Sequence, residues 1–167
     1  MFRLTVRQSP VGPLTLAARG DQLVMLRFGD EREHAERILH RQEPSAVIVE
    51  HRDPAGASSA LDKYFSGDLA ELDRLQVEFS GTDFQRRVWT ALRSIGAGRT
   101  ASYLDIANEI GAPTAVRAVG AANGANPIAI VVPCHRIIGT SGALVGYGGG
   151  LDRKRWLLEH EGVLLKM

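Results

Sequence analysis

The residues best suited to chemistry lie around Cys134, the only cysteine in the chain, within Pro133-Cys134-His135-Arg136. An isolated cysteine is ordinarily a small buried apolar residue, so its neighbours must argue for reactivity. A reactive thiol needs its thiolate stabilised, and a histidine and an arginine alongside supply positive potential. Pro133 fixes its own φ and biases Val132 toward extended geometry, which stiffens the approach to Cys134. Ile128 to Val132 reads as a buried strand or extended core run. Adjacent residues of an extended chain point to opposite sides. Cys134 and His135 can therefore cooperate directly only if the backbone turns; otherwise a water must bridge them. A histidine base also wants an orienting carboxylate, and Asp152, Glu159 and Glu161 are the candidates. Downstream, Gly146-Tyr147-Gly148-Gly149-Gly150 sets one aromatic face among exposed backbone N–H groups, suited to the wall of a pocket for a planar substrate.

These residues need elements to hold them, and the second half of the chain supplies short, well-punctuated helices. Thr82 with Gln85 forms a capping box before Phe84, Val88, Leu92 and Ile95 at helical spacing. Ser102 with Asp105 caps the next helix, which ends at Gly111. Pro113 is placed to open a third over Thr114 to Ala122, broken at Asn123-Gly124. The pair joined by Gly111-Ala112-Pro113 has the form of a helix-turn-helix. Its second member, Ala115, Val116, Arg117, Ala118, Val119, Gly120, Ala121 and Ala122, is nearly all small, with one long side chain. Such a smooth face admits a close backbone, and the absence of Asn and Gln argues for weak sequence specificity toward DNA. Asp152 is placed to cap a final helix through Trp156, Leu157 and His160, closed by Gly162.

The first half predicts a small α/β domain over residues 1–79, followed by the helical domain over 80–167. Phe2–Arg7, Leu14–Ala18 and Leu23–Phe28 read as three antiparallel strands, Glu31–Arg41 as a helix and Ala46–Val49 as a short strand. Pro54 to Ser59 reads as a loop before a helix through Leu61, Tyr64 and Phe65. Nothing in this half reads as chemistry.

At 167 residues, 44% hydrophobic and 23% charged, the chain can bury a core and is not disordered. One cysteine excludes an internal disulfide and cysteine-rich zinc sites, and no metal is expected. No apolar stretch is long enough to span a bilayer and no signal segment is evident, so a cytoplasmic location without membrane association is expected. The net charge of +1 divides unevenly: residues 1–80 carry 10 Lys/Arg against 13 Asp/Glu, and residues 81–167 carry 10 against 6. The excess of positive charge in the second half suits a polyanion partner.

The Pro133-Cys134-His135-Arg136-Ile137-Ile138 run resembles the active-site motif of the O6-alkylguanine-DNA alkyltransferases, the methylated-DNA–protein-cysteine methyltransferases. Arg117-Ala118-Val119-Gly120, Asn126-Pro127, Gly142, Tyr147 and Trp156-Leu157-Leu158 to Glu161-Gly162 follow in that family's order. The resemblance covers residues 80–165 strongly; the first half matches mainly at Ser9-Pro10-Val11-Gly12-Pro13-Leu14. It implies an α+β fold: an RNase H-like domain with a three-stranded antiparallel sheet, then a mainly helical domain with a winged-helix-like helix-turn-helix.

The resemblance also implies roles. Cys134 would accept the alkyl group irreversibly, His135 would deprotonate it through a water, and Glu161 would orient His135. Asn126 would organise the active-site turn. Arg117 would intercalate in place of a flipped nucleotide, and Tyr103 would help rotate its phosphate and protonate the departing base. Ala115, Val116, Ala118, Gly120, Ala121 and Arg136 would complete a minor-groove contact with duplex DNA. Tyr147, Gly148, Gly149 and Ile137 would form the substrate pocket; several relatives have serine at Gly148, so the substrate range is open there. The expected substrate is O6-alkylguanine, with O4-methylthymine a second candidate. No cofactor is expected, and a monomer is, with cooperativity on DNA left open. A lesion-binding protein without transfer activity, a helix-turn-helix regulator and a multiple-turnover thiol hydrolase are the alternatives. The presence of Cys134 argues against the first, and the grouping of His135, Tyr147 and Glu161 argues against the second.

Overall fold

A computed structural model describes residues 1–165, which fall into two compact units, residues 1–79 and the chain from Ser80 onward. In the first unit, β1 (Phe2–Arg7), β2 (Leu14–Arg19) and β3 (Gln22–Phe28) form the antiparallel centre of a sheet. Two short strands, β4 (Ile48–Glu50) and β5 (Gln76–Val77), add in parallel at its edges, giving the order β4-β1-β2-β3-β5. The expected three strands thus form the middle of a mixed, five-stranded sheet. β5 has only two residues and no alternation to reveal it; its pairing with β3 is a tertiary contact.

Leu14, Thr15, Leu16, Ala17 and Ala18 of the central strand are all fully buried, as a strand covered on both faces must be. The buried hydroxyl of Thr15 is satisfied locally: it donates to the Gly29 carbonyl at 2.8 Å and accepts from the Glu31 N–H at 2.8 Å. α1 (Arg32–Gln42) lays Ala35 and Leu39 against Phe2, Leu4, Ala17 and Met25. α2 (Ala57–Phe65) begins within the stretch expected to be loop, after a 3-10 turn at Pro54–Gly56. Burial of Ala57, Ala60, Leu61 and Tyr64 on one face stabilises the earlier start.

The second unit contains α3 (Asp83–Leu92), α4 (Tyr103–Glu109), α5 (Val116–Gly124) and α6 (Leu151–His160). Both expected capping boxes form, Thr82 with Gln85 and Ser102 with Asp105. α3, α4 and α5 pack together, and the Trp89 indole N–H donates to the Ala122 carbonyl at 2.8 Å. Three expected boundaries move. Pro113 lies in the turn ahead of α5, whose N-cap is Ala115, and α5 continues through Asn123 and Gly124. Burial of Asn123 with Val119 and Ala122 keeps the last turn helical. Gly150, not Asp152, precedes α6, with no side-chain cap. Ile128 to Val132 is neither strand nor extended run. It is a buried turn in which Val132 N–H returns to the Ile128 carbonyl at 3.0 Å and Ile130 takes a φ of 68°. A left-handed isoleucine is strained, and its near-complete burial helps hold it there.

Candidate active site

Cys134, His135 and Arg136 form a single 3-10 turn, and all three side chains are buried. The turn breaks the extended alternation, which is why adjacent residues can serve one site. Residues on both sides hold it: Ala101 N–H donates to the Arg136 carbonyl at 3.0 Å, and Ile138 N–H donates to the Ala101 carbonyl at 2.9 Å. Asn126 fixes the approach. Its Nδ2 donates to the Val132 carbonyl at 2.8 Å and to the Cys134 sulfur at 3.1 Å, while its Oδ1 accepts from Ile128 N–H at 3.0 Å. One amide thus braces the buried turn and contacts the thiol.

Of the three candidate carboxylates, Glu161 is the one at the site. His135 Nε2 lies 2.8 Å from Glu161 Oε2, and Arg136 donates through Nε to Oε1 at 2.9 Å and through Nη2 to Oε2 at 3.0 Å. Arg136 Nη1 adds a bond to the Ile95 carbonyl at 2.5 Å. Glu161 sits at the C-cap of α6, where Gly162 takes a φ of 85° and Val163 N–H returns to the Leu158 carbonyl at 2.9 Å. That left-handed glycine closes the helix and sets the position of the carboxylate.

Burial pushes the Glu161 carboxyl up, but hydrogen bonds from His135 and Arg136 outweigh it and hold the group at about 2. Burial lowers the His135 imidazole below its ordinary value despite Glu161, so the ring is neutral at neutral pH. An ionised carboxylate only accepts hydrogen bonds, so the His135 proton resides on Nε2. Nδ1 is then the basic nitrogen; it is buried and has no hydrogen-bond partner among the described residues. Burial also raises the Cys134 thiol, opposed by the Asn126 amide, the Tyr147 phenol and the charge of Lys154.

The remaining expected residues divide by position. Arg117, Ala118 and Ala121 are exposed on α5, and Ala115, Val116 and Gly120 are half-buried. The Tyr103 ring of α4 packs against Gly120, where an added Cβ would lie 3.6 Å from Cε2. Tyr147 is half-buried and beside the thiol; Gly148 is exposed and Gly149 half-buried. One expectation needs correction. Arg136 is not a surface DNA contact: it is buried, and its guanidinium is committed to Glu161 and Ile95. Ile137 is fully buried; its N–H donates to the Cys134 carbonyl and its own carbonyl accepts from Lys154.

Sequence reasoning missed Lys154. It is buried beside the site and donates to the carbonyls of Ile137 and of Val145, the latter at 3.1 Å. The signal was its spacing: Lys154, Leu157, Leu158 and Glu161 share one helical stripe, so the face that buries the leucines also buries the lysine.

A thiol beside a neutral, carboxylate-oriented imidazole, in a unit that also carries an exposed small-residue helix, defines a cysteine-nucleophile protein built on a helix-turn-helix. The family described as "6-O-methylguanine DNA methyltransferase, DNA binding domain" matches residues 83–163, and its "ribonuclease-like domain" matches residues 2–79. Similar proteins named methylated-DNA–protein-cysteine methyltransferase include one from Mycobacterium tuberculosis, 52% identical over 96% of this chain and 93% of that protein. Another, from Salmonella typhimurium, is 46% identical over 94% of each. The crystal structure of Mycobacterium tuberculosis OGT in complex with DNA is 48% identical, with a TM-score of 0.78 over 96% of this chain and 91% of that one. The chain belongs to the 6-O-methylguanine DNA methyltransferase family.

Proposed function

We propose that this protein reverses DNA alkylation directly, transferring the alkyl group of O6-alkylguanine to Cys134 in a single irreversible turnover. The observation that carries this reading is the neutral His135, its Nε2 bound to Glu161 and its Nδ1 free to take a proton, next to a buried thiol touched by Asn126. In this reading a water passes the Cys134 proton to His135 Nδ1. The sulfur lone pair then forms a bond to the alkyl carbon while the carbon–O6 bond breaks, its electron pair passing to guanine. The base takes up a proton, with Tyr103 as donor. The product thioether is stable, so one molecule is consumed per lesion.

The unit from Ser80 onward is the DNA-binding and acceptor domain of this proposal. A base must leave the stack before its O6 substituent is reached, at a cost of a few kcal/mol. α5 enters the minor groove with its small face, Arg117 fills the space of the flipped nucleotide, and Tyr147, Gly148 and Gly149 line the pocket. The protein acts as a monomer on duplex DNA without a cofactor, in the cytoplasm; no helix among the described residues is long and apolar enough to cross a membrane.

Incubation with an O6-methylguanine oligonucleotide, followed by mass analysis of the Cys134 peptide, tests the reading. The expected result is a single added methyl group, no second turnover and no transfer by Cys134→Ser. Product beyond one equivalent would instead identify a true catalyst, such as a thiol hydrolase.

A further inference from the structure

An open cleft in the first unit takes no part in the proposed transfer. It encloses about 970 Å³ where the C-terminal ends of the parallel strands β1 and β4 meet the first turn of α2. Its carboxylates are already engaged. Glu50 accepts from the Thr5 hydroxyl at 2.9 Å and pairs with Arg32 at 2.6 Å. Asp53 caps α2, accepting from the Ser59 N–H at 3.1 Å and from the Ser59 hydroxyl at 2.6 Å. Asp62 pairs with Arg7 at 2.6 Å.

What remains open is a set of donors. His51 Nδ1 accepts from the Asp53 N–H at 3.1 Å, so the proton of the neutral ring sits on Nε2, which has no partner among the described residues. Arg52 is exposed, and its guanidinium is likewise unengaged among them. Ser58 Oγ is buried and also lacks a partner there. Arg7 adds a cation already fixed in place. Its Nε donates to the Gln8 carbonyl at 3.1 Å and its Nη1 to the Ser58 carbonyl at 2.6 Å. Its carboxylate partner, Asp62, has a side chain 67% exposed, and a pair so open to water is weak enough for a second anion to compete. Among the described residues of the lining, Val6 is the only apolar one and no phenyl or indole ring is present, so neither a stacked base nor an acyl chain is accommodated.

We propose that this cleft binds the phosphate group of a small phosphorylated molecule through Arg52, His51 Nε2–H, the Ser58 hydroxyl and Arg7. A compact anion with acceptor oxygens on several sides matches charged and neutral donors supplied from β1, the segment after β4 and α2. Duplex DNA is the other source of phosphate. Residues 1–80 carry 10 Lys/Arg against 13 Asp/Glu, a balance that disfavours a long polyanion more than a single small one.

Inorganic pyrophosphate is the probe. Added to the full chain at constant ionic strength, it should move the imidazole NMR signals of His51, assigned with His51→Gln, along a curve that saturates below about 10 mM. His40 and His160 lie outside the lining and should not follow. Arg52→Gln is expected to weaken binding about tenfold, the loss of one charge-assisted contact. Asp62→Asn removes the competing carboxylate and is expected to strengthen binding about two- to fivefold. Damage to the fold would weaken binding in both variants, so the opposite signs identify a site. A lesion-free duplex should leave the His51 signals in place. No saturable movement with pyrophosphate, the same movement with chloride, or weaker binding in Asp62→Asn would overturn the proposal. Movement with the duplex but not with pyrophosphate would assign the cleft to DNA and overturn it as well.

Discussion

Glu161 carries two loads at once. It orients His135 through one oxygen and neutralises Arg136 through both, all within a buried cluster. Removing its charge leaves the Arg136 guanidinium buried without compensation, a loss of about 3–5 kcal/mol in comparable pairs. Glu161→Gln should therefore lower the urea midpoint sharply as well as slow alkyl transfer, and the two effects separate in conditions where the variant remains folded. If transfer stays at the wild-type rate in folded Glu161→Gln, the orienting role is wrong. The same cluster explains why Arg136 offers nothing to DNA: each of its polar contacts faces inward.

Among the elements, α4 and α5 matter most, because together they present the face proposed to meet DNA. Ser102 accepts from the Asp105 N–H at 3.1 Å, and Asp105 accepts from the Ser102 N–H at 2.9 Å. Ser102→Ala should destabilise the second unit by about 1 kcal/mol, read by chemical denaturation. Arg117 is the only long side chain on the exposed face of α5. Arg117→Ala should reduce transfer from duplex DNA by an order of magnitude or more while changing transfer from a free base analogue far less; equal losses on both would count against intercalation. A tighter constraint acts where Gly98, at a φ of 85°, approaches the Glu161 carbonyl so closely that an added Cβ would lie 3.2 Å from it. Gly98→Ala should shift the end of α6, and with it the carboxylate, costing both stability and transfer rate.

At the scale of the whole molecule, the two units should answer differently to acid. Glu161 falls from an ordinary 4.5 to about 2 in the folded state, so its contribution is present above pH 4.5 and is lost as pH falls toward 2. His135 is also lowered, from 6.5, so the unfolded chain takes up that proton first and stability declines as pH drops below 6.5. Both effects weaken the second unit in acid. In the first unit the lowered carboxyls are Glu50, with its Arg32 hydrogen bond against some desolvation, and Asp53, where desolvation is outweighed by bonds from Ser59; Glu50 is exposed and Asp53 half-buried, and solvent screens both. Trp89 and Trp156 are the chain's two tryptophans, and both lie in the second unit. Unfolding followed by tryptophan fluorescence should therefore lose midpoint between pH 7 and 4 faster than unfolding of the sheet followed by circular dichroism. Coincident loss by both probes would contradict this account.

The sequence alone determined what local rules govern: two capping boxes, the three central strands, the small-residue helix and the reactive motif around Cys134. Each depends on residues a few positions apart, where side chain and backbone choose one another. The tertiary structure decided the rest. Burial turned residues 128–132 back on themselves, extended α5 past Asn123, and drew Arg136 inward, because the free energy of these choices lies in neighbours distant along the chain. It also chose Glu161 over Asp152 and Glu159, since the stripe of α6 that buries Leu157 and Leu158 carries Glu161 to His135 and Arg136, while the other two remain exposed.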